Sequence, residues 1–155
     1  MKKILSLLVA FPVCFYARGQ QAPVFINPDS LILPKGYTHV VVVPASYRTI
    51  YISGQIPVNA KGEVVGKGDF RQQVVQVYEN LKKALTSAGA TFDNVIKMNT
   101  YVANLNTEYL TVIREVRSNY LNKKNPPANT TVGIATSNPD ILLEVEAIAV
   151  VTSPG

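Results

Sequence analysis

Between residues 69 and 89 apolar side chains recur at three- and four-residue steps. Val74, Val77, Tyr78, Leu81, Leu85 and Ala88 form one stripe, which predicts an amphipathic helix of roughly five turns. Asp69 stands where its N-cap belongs, and Gly89 where a helix C-terminus favours glycine. A second stripe of Leu110, Ile113, Val116 and Tyr120 predicts another helix, capped by Asn106 or Thr107, with Glu108 at the positive end of its dipole. Asn122 to Asn125 closes it, and Pro126-Pro127 prevents a restart.

The remaining periodicity is that of strands. Pro23, Pro28 and Pro34 mark an extended lead-in with one short strand near Val24–Asn27. Tyr37 to Val43 and Thr49 to Ser53 are β-rich and, separated by Pro44-Ala45-Ser46, read as a hairpin. Val95 to Val102, Thr130 to Thr136 and Ile141 to Val151 complete the set. In the last strand Leu143, Val145, Ala147, Ala149 and Val151 share one face, which suits contact with helices. Leu142, Glu144, Glu146, Ile148 and Val150 share the other, acidic in its first half and apolar in its second. A lone chain seldom exposes such an apolar half-face, so a second copy is expected to cover it. The order of strands, helix, strand, helix, two strands predicts an α+β domain, a mixed β-sheet with two helices packed on one face.

Composition narrows the class. The chain has 155 residues, 47% of them apolar and 16% charged, which suits one folded domain. Its net charge of +5 is concentrated at the start. Lys2, Lys3 and Arg18 precede any acidic residue, and without them 12 basic side chains face 10 acidic ones. That surplus is no footprint for nucleic acid, which is not expected as a partner. Lys2-Lys3, the apolar run Ile4–Tyr16, and Ala17 and Gly19 before Gln20 form the pattern of a signal peptide over residues 1–19. A single domain over 20–155, exported to a periplasmic or extracellular space and free of the membrane after cleavage, is the expectation. A buried strand, or a lipid anchor on Cys14, would be the alternatives; Val13 before Cys14 fits an anchor poorly. Cys14 is the sole cysteine, so the mature domain would hold no thiol or disulfide.

Most catalytic constellations lack their parts. His39 is the only histidine and sits beside a valine run, a structural setting. No second histidine or cysteine is available for a metal site or a nucleophile pair, and no cofactor is expected. Gly62, Gly66 and Gly68 lack the spacing of a phosphate loop. Glu144 and Glu146, two residues apart on one strand, lie about 7 Å from each other. One could act as a general acid or base, although position alone favours a solvated strand edge.

From Tyr51 onward the chain resembles the RidA (YjgF, endoribonuclease L-PSP-like) family of reactive intermediate deaminases. The resemblance rests on Ile52-Ser53-Gly54-Gln55-Ile56-Pro57, Ala88-Gly89, Tyr101-Val102 with Asn104-Leu105-Asn106, Pro127-Ala128, and Glu144-Val145-Glu146-Ala147-Ile148-Ala149, with Gly36-Tyr37 upstream. It implies a chorismate-mutase-like fold, a homotrimer, and small-molecule clefts between subunits. It also implies hydrolysis of enamines and imines to a carbonyl product and ammonia. The family's cleft residues would fall on Tyr37, Ser53, Asn106, Asn129 and Thr131 as ligand-binding positions and on Glu144 as the catalytic one. Ribonuclease activity, also attributed to family members, fits poorly with an exported chain.

Asn129 departs from the family pattern, which has arginine after Pro-Ala. A guanidinium grips a carboxylate with a two-pronged, charge-assisted hydrogen bond that asparagine cannot make. Its loss costs an anionic ligand about 2–4 kcal/mol, or about 30- to 1000-fold in affinity. Arg71, Arg114 and Arg117 fall on helices and Arg48 precedes a strand, so none is an obvious substitute. A neutral or cationic ligand is therefore expected.

Overall fold

The computed structural model describes residues 21–153. The signal peptide expected over 1–19, Cys14 included, lies outside the described residues. Six strands and two helices follow in order: β1 (Val24–Ile26), β2 (Val40–Val42), β3 (Tyr47–Gln55), α1 (Phe70–Ser87), β4 (Val95–Ala103), α2 (Thr107–Arg117), β5 (Ala128–Ile134) and β6 (Leu143–Thr152). The main sheet has the order β3-β6-β4-β5. Its β4–β5 pair is parallel and the others antiparallel, so it is the mixed sheet expected.

Both helices form where the apolar stripes predict. The Asp69 carboxylate accepts from the Gln72 amide at 3.0 Å and caps α1. Losing that cap would cost about 1 kcal/mol. Gly89 takes the left-handed conformation, φ +72°, which a side chain would resist. Val74, Val77, Tyr78, Leu81 and Leu85 are fully buried against Leu143, Val145, Ala147 and Ala149 of β6 in one core. Buried Gln73 binds two chain segments to α1. Its amide donates to the Gly66 and Asp140 carbonyls at 3.0 and 2.7 Å and accepts from the Leu142 amide at 2.8 Å.

Two sequence expectations change. β2 does not form a hairpin with β3. It pairs instead with β1, Val24 opposite Val42, in a separate two-stranded sheet. A turn closed by the Tyr47 amide on the Pro44 carbonyl redirects the chain, and the nine-residue β3 finds its longer match in ten-residue β6. Val150 also adds nothing to the exposed apolar surface. It is 2% exposed, and it stands apart from the helix-side core that takes its neighbours Ala149 and Val151, so the alternation holds while the exposure does not. The apolar part of the open face is carried by half-buried Ile148 with exposed Tyr51 and Val132.

Between the two sheets the lead-in runs along the free edge of β5. Thr38 makes a parallel bridge to Ala128, its amide donates to the Pro127 carbonyl, and its hydroxyl donates to the Pro126 carbonyl at 2.6 Å. That contact holds Tyr37 beside the sheet edge.

Candidate functional site

The sheet alternation sorts the predicted site residues onto two faces. On β5, Thr130 points to the open face, where its hydroxyl accepts from Lys97 Nζ at 2.8 Å. Its neighbours Asn129 and Thr131 therefore point to the helix side, in register with buried Met98 and Thr100. They line a cleft of about 480 Å³ with Tyr37, Lys35, Ile32 and Leu33 from the lead-in and Leu110, Ile113, Arg114 and Arg117 from α2. The Asn129 amide donates to the Thr131 hydroxyl at 3.2 Å, and its Oδ1 is buried without a partner.

Ser53 and Glu144 lie on the opposite face. β3 and β6 shift register between Ile52 and Gln55, so Ser53 and Gly54 occupy an irregularity beside the two glutamates. Such irregularities re-aim side chains. The Glu144 carboxylate lies across Gly54, where an added Cβ would fall 1.7 Å from Oε1. Glycine at that position is what leaves the carboxylate its place. A second hollow of about 390 Å³ is lined here by Tyr51, Ser53, Lys97, Asn99, Glu146 and Ile148, among others.

The two glutamates have different surroundings. Glu146 accepts from Asn99 Nδ2 at 2.7 Å and Tyr101 Oη at 3.0 Å. Those two hydrogen bonds, Asn99 first, hold its carboxyl below the ordinary value, and the same bond to Glu146 pushes the Tyr101 phenol up. Glu144 accepts no hydrogen bond among the described residues, and its carboxylate lies against Gly54.

Asn106 joins neither hollow. Its carboxamide oxygen accepts from the Tyr109 amide at 2.8 Å and caps α2. The cap occupies the carboxamide oxygen, and the Nδ2 makes only a long hydrogen bond of 3.4 Å to the Asn104 carbonyl. His39 Nε2 donates to the Ile32 carbonyl at 2.8 Å and pins the lead-in. Among the described residues no three His, Cys, Asp or Glu side chains cluster as metal ligands would.

The sequence offers no obvious arginine beside Asn129, yet two lie near it. Arg114 and Arg117, from the last turn of α2, line the same cleft as Asn129. Arg117 was detectable in the sequence. It falls four residues after Ile113 and seven after Leu110, on the apolar stripe, and it is only 6% exposed.

Comparison with known proteins fits this arrangement. The family model described as Endoribonuclease L-PSP matches residues 31–151. The chain belongs to the RidA family. A RutC family protein of Pyrococcus abyssi is 39% identical over 101 residues, 64% of this chain and 76% of its own length. The human 2-iminobutanoate/2-iminopropanoate deaminase is 31% identical over 114 residues, 74% of this chain and 79% of its own. Among solved structures, a Rid-family protein of unknown function from Yersinia pestis superposes with a TM-score of 0.76 at 37% identity, over 84% of this chain and all of its own. Escherichia coli TdcF with bound serine gives 0.58 at 26% identity, over 74% of this chain and 92% of its own. The RidA fold, a mixed sheet with two helices, is thus the fold of this chain.

Proposed function

We propose that this chain hydrolyses a small imine or enamine in clefts built jointly by two copies of itself. The observation that carries the proposal is the division of the site residues. Tyr37, Asn129 and Thr131 face one side of the sheet, Ser53 and Glu144 the other. Neither half is complete, and the open face carries exposed Tyr51 and Val132 that a second copy would cover. A contact that sets one face of a chain against a different surface of the next closes into a ring, and the expected ring is a homotrimer.

In the joint cleft Glu144 takes a proton from water as it attacks the imine carbon. Glu144 passes that proton to the imine nitrogen, giving a carbinolamine. The carbinol O–H then yields its proton to the amino group through the same carboxylate, the C–N bond breaks, and ammonia and a carbonyl compound result. The human relative is named for this reaction on two imino acids. Ribonuclease chemistry has less support, since the one histidine is engaged by the Ile32 carbonyl. Export through residues 1–19 belongs to the same reading, and the N-terminus of the protein recovered from its native cells would test it.

The test is hydrolysis of 2-iminopropanoate generated in solution, read as loss of imine above the spontaneous rate. Glu144→Gln should lower the catalysed rate by about 100-fold or more with the fold intact. Mixing Glu144→Gln with a variant inactive through Thr131 and Asn129, after dissociation and reassembly, should restore about a quarter of the sites, since each half is intact in half the copies. A native rate equal to the spontaneous one, or light scattering that shows a monomer at micromolar concentration, would overturn the proposal.

A further inference from the structure

The cleft beside β5 has a charge balance that its β5 residues do not explain. It shares Lys35, Arg114 and Arg117 with an adjoining hollow of about 180 Å³, which adds Lys123. No Asp or Glu lines either space. The ion pairs among the described residues are Lys67–Asp140 and Arg71–Glu115, so none of these four cations has a carboxylate partner. Glu115, the acidic side chain next to Arg114 in sequence, is taken by Arg71.

Arg117 is the most telling of the four. Its side chain is buried, and its one hydrogen bond is from Nη2 to the Gly36 carbonyl at 3.1 Å. A guanidinium has five N–H donors, and a buried one without a counter-charge is costly. Burial is the main reason its affinity for the proton falls. The like charge of Arg114 adds to that fall, against an opposing pull from Tyr78. The negative end of a helix dipole explains basic residues in the last turn of α2. It does not explain burying one of them beside a cavity. Asn129 supplies an independent sign. With its amide turned so that Oδ1 accepts from the Thr131 hydroxyl, the buried atom beside the cleft without a partner is Nδ2, a donor suited to an anion.

We infer that Arg114 and Arg117 of α2 seat the anionic end of the cleft's ligand, a carboxylate, supplying from the helix the charge that Asn129 does not supply from β5. The carboxylate takes the guanidinium donors on one side and the Asn129 amide on the other. Arg117 is fixed by the Gly36 carbonyl, and exposed Arg114 closes over the ligand from the next turn of the helix. The expectation of a neutral or cationic ligand followed from Asn129 alone and gives way to the whole cleft. This inference rests on the cleft being the ligand site, but not on catalysis.

The experiment is calorimetric titration of the purified chain with pyruvate and, separately, with its uncharged amide, pyruvamide. Pyruvate should bind at least about tenfold more tightly, and its affinity should fall as salt rises. Arg114→Gln should weaken pyruvate by about tenfold and leave pyruvamide unchanged. Arg117→Gln should do the same; should it fail to fold, exposed Arg114 still decides the question. Equal affinity for the two compounds, or pyruvate binding that survives Arg114→Gln, overturns the inference. Pyruvate binding that needs the arginines in a chain without imine hydrolysis would sink the deaminase reading and keep this one. Hydrolysis of 2-iminopropanoate indifferent to both arginines would do the reverse.

Discussion

The two faces of the sheet present two different kinds of half-site. The open face of β3, β6 and β4 is made of alternate strand residues, broken at the Ser53–Gly54 irregularity, and its carboxylates Glu144 and Glu146 sit among Ser53, Asn99 and Tyr101. The cleft at the β5 edge is concave and cationic, and is assembled from three segments distant in sequence: the lead-in, the last turn of α2, and β5. One face offers a carboxylate free to move a proton. The other offers fixed positive charge and a volume of small-molecule size. A reaction that needs both a base and an anchor cannot run on one copy when the sheet stands between them. The division itself argues for assembly.

The largest effect expected from separating these halves comes at Gly54. Gly54→Ala places a methyl group where the Glu144 carboxylate lies, 1.7 Å from Oε1. The clash extends to Cγ at 2.8 Å, so the whole Glu144 side chain must swing aside, at a cost to the fold of about 1 kcal/mol. The carboxylate cannot keep its place, and imine hydrolysis should fall by about 100-fold. Pyruvate affinity, which belongs to the other face, should hold. Thermal melting and titration beside the rate assay would show whether the two halves fail independently. A parallel loss of pyruvate binding would mean they do not.

A smaller effect sharpens the cationic half. Arg117→Ala removes the buried guanidinium and should weaken pyruvate binding by about tenfold. Asn129→Arg in that background moves one guanidinium from helix to strand, and the double variant should recover to within about threefold of the native affinity. A double variant as weak as Arg117→Ala alone would show that the two positions do not share one anion.

The contrast between the halves also governs what the sequence could reveal. The open face was legible because a strand's period of two assigns Glu144 and Glu146 to one side from the letters alone. Asp69, Gly89 and the stripe of α1 were legible for the same local reason. The cleft was not, because Arg114 and Asn129 come to line one cavity only in the folded chain. Arg117 did carry a signal, an arginine on an apolar stripe, but polar and apolar faces meet there and the stripe was read through Val116. Asn106 shows the opposite limit. One local pattern served two readings, and only the hydrogen bond to the Tyr109 amide separates cap from ligand contact. The β2–β3 hairpin failed because pairing is decided by the partner available, and β6 offers β3 a longer ladder than β2 can.

The smallest expected effect tests whether the glutamates of the open face truly differ. Glu146 holds its carboxyl below the ordinary value through Asn99 and then Tyr101. Its ionised form is favoured in the folded chain, so its contribution to stability is present above the unfolded value and is lost as pH falls through the lowered folded one. The group is half-buried and still meets solvent, and that contribution should stay under about 1 kcal/mol. Asn99→Leu removes the larger cause and Tyr101→Phe the lesser, so carboxyl titration by NMR should move Glu146 upward in both, further in the first. The Tyr101 phenol, raised by the same carboxylate, should return toward its ordinary value in Glu146→Gln. If Glu146 did not respond, its two hydrogen bonds would not be what holds it. The distinction between a held carboxylate and a free one would then lose its footing, and with it the reason for assigning the proton transfer to Glu144 rather than to its neighbour.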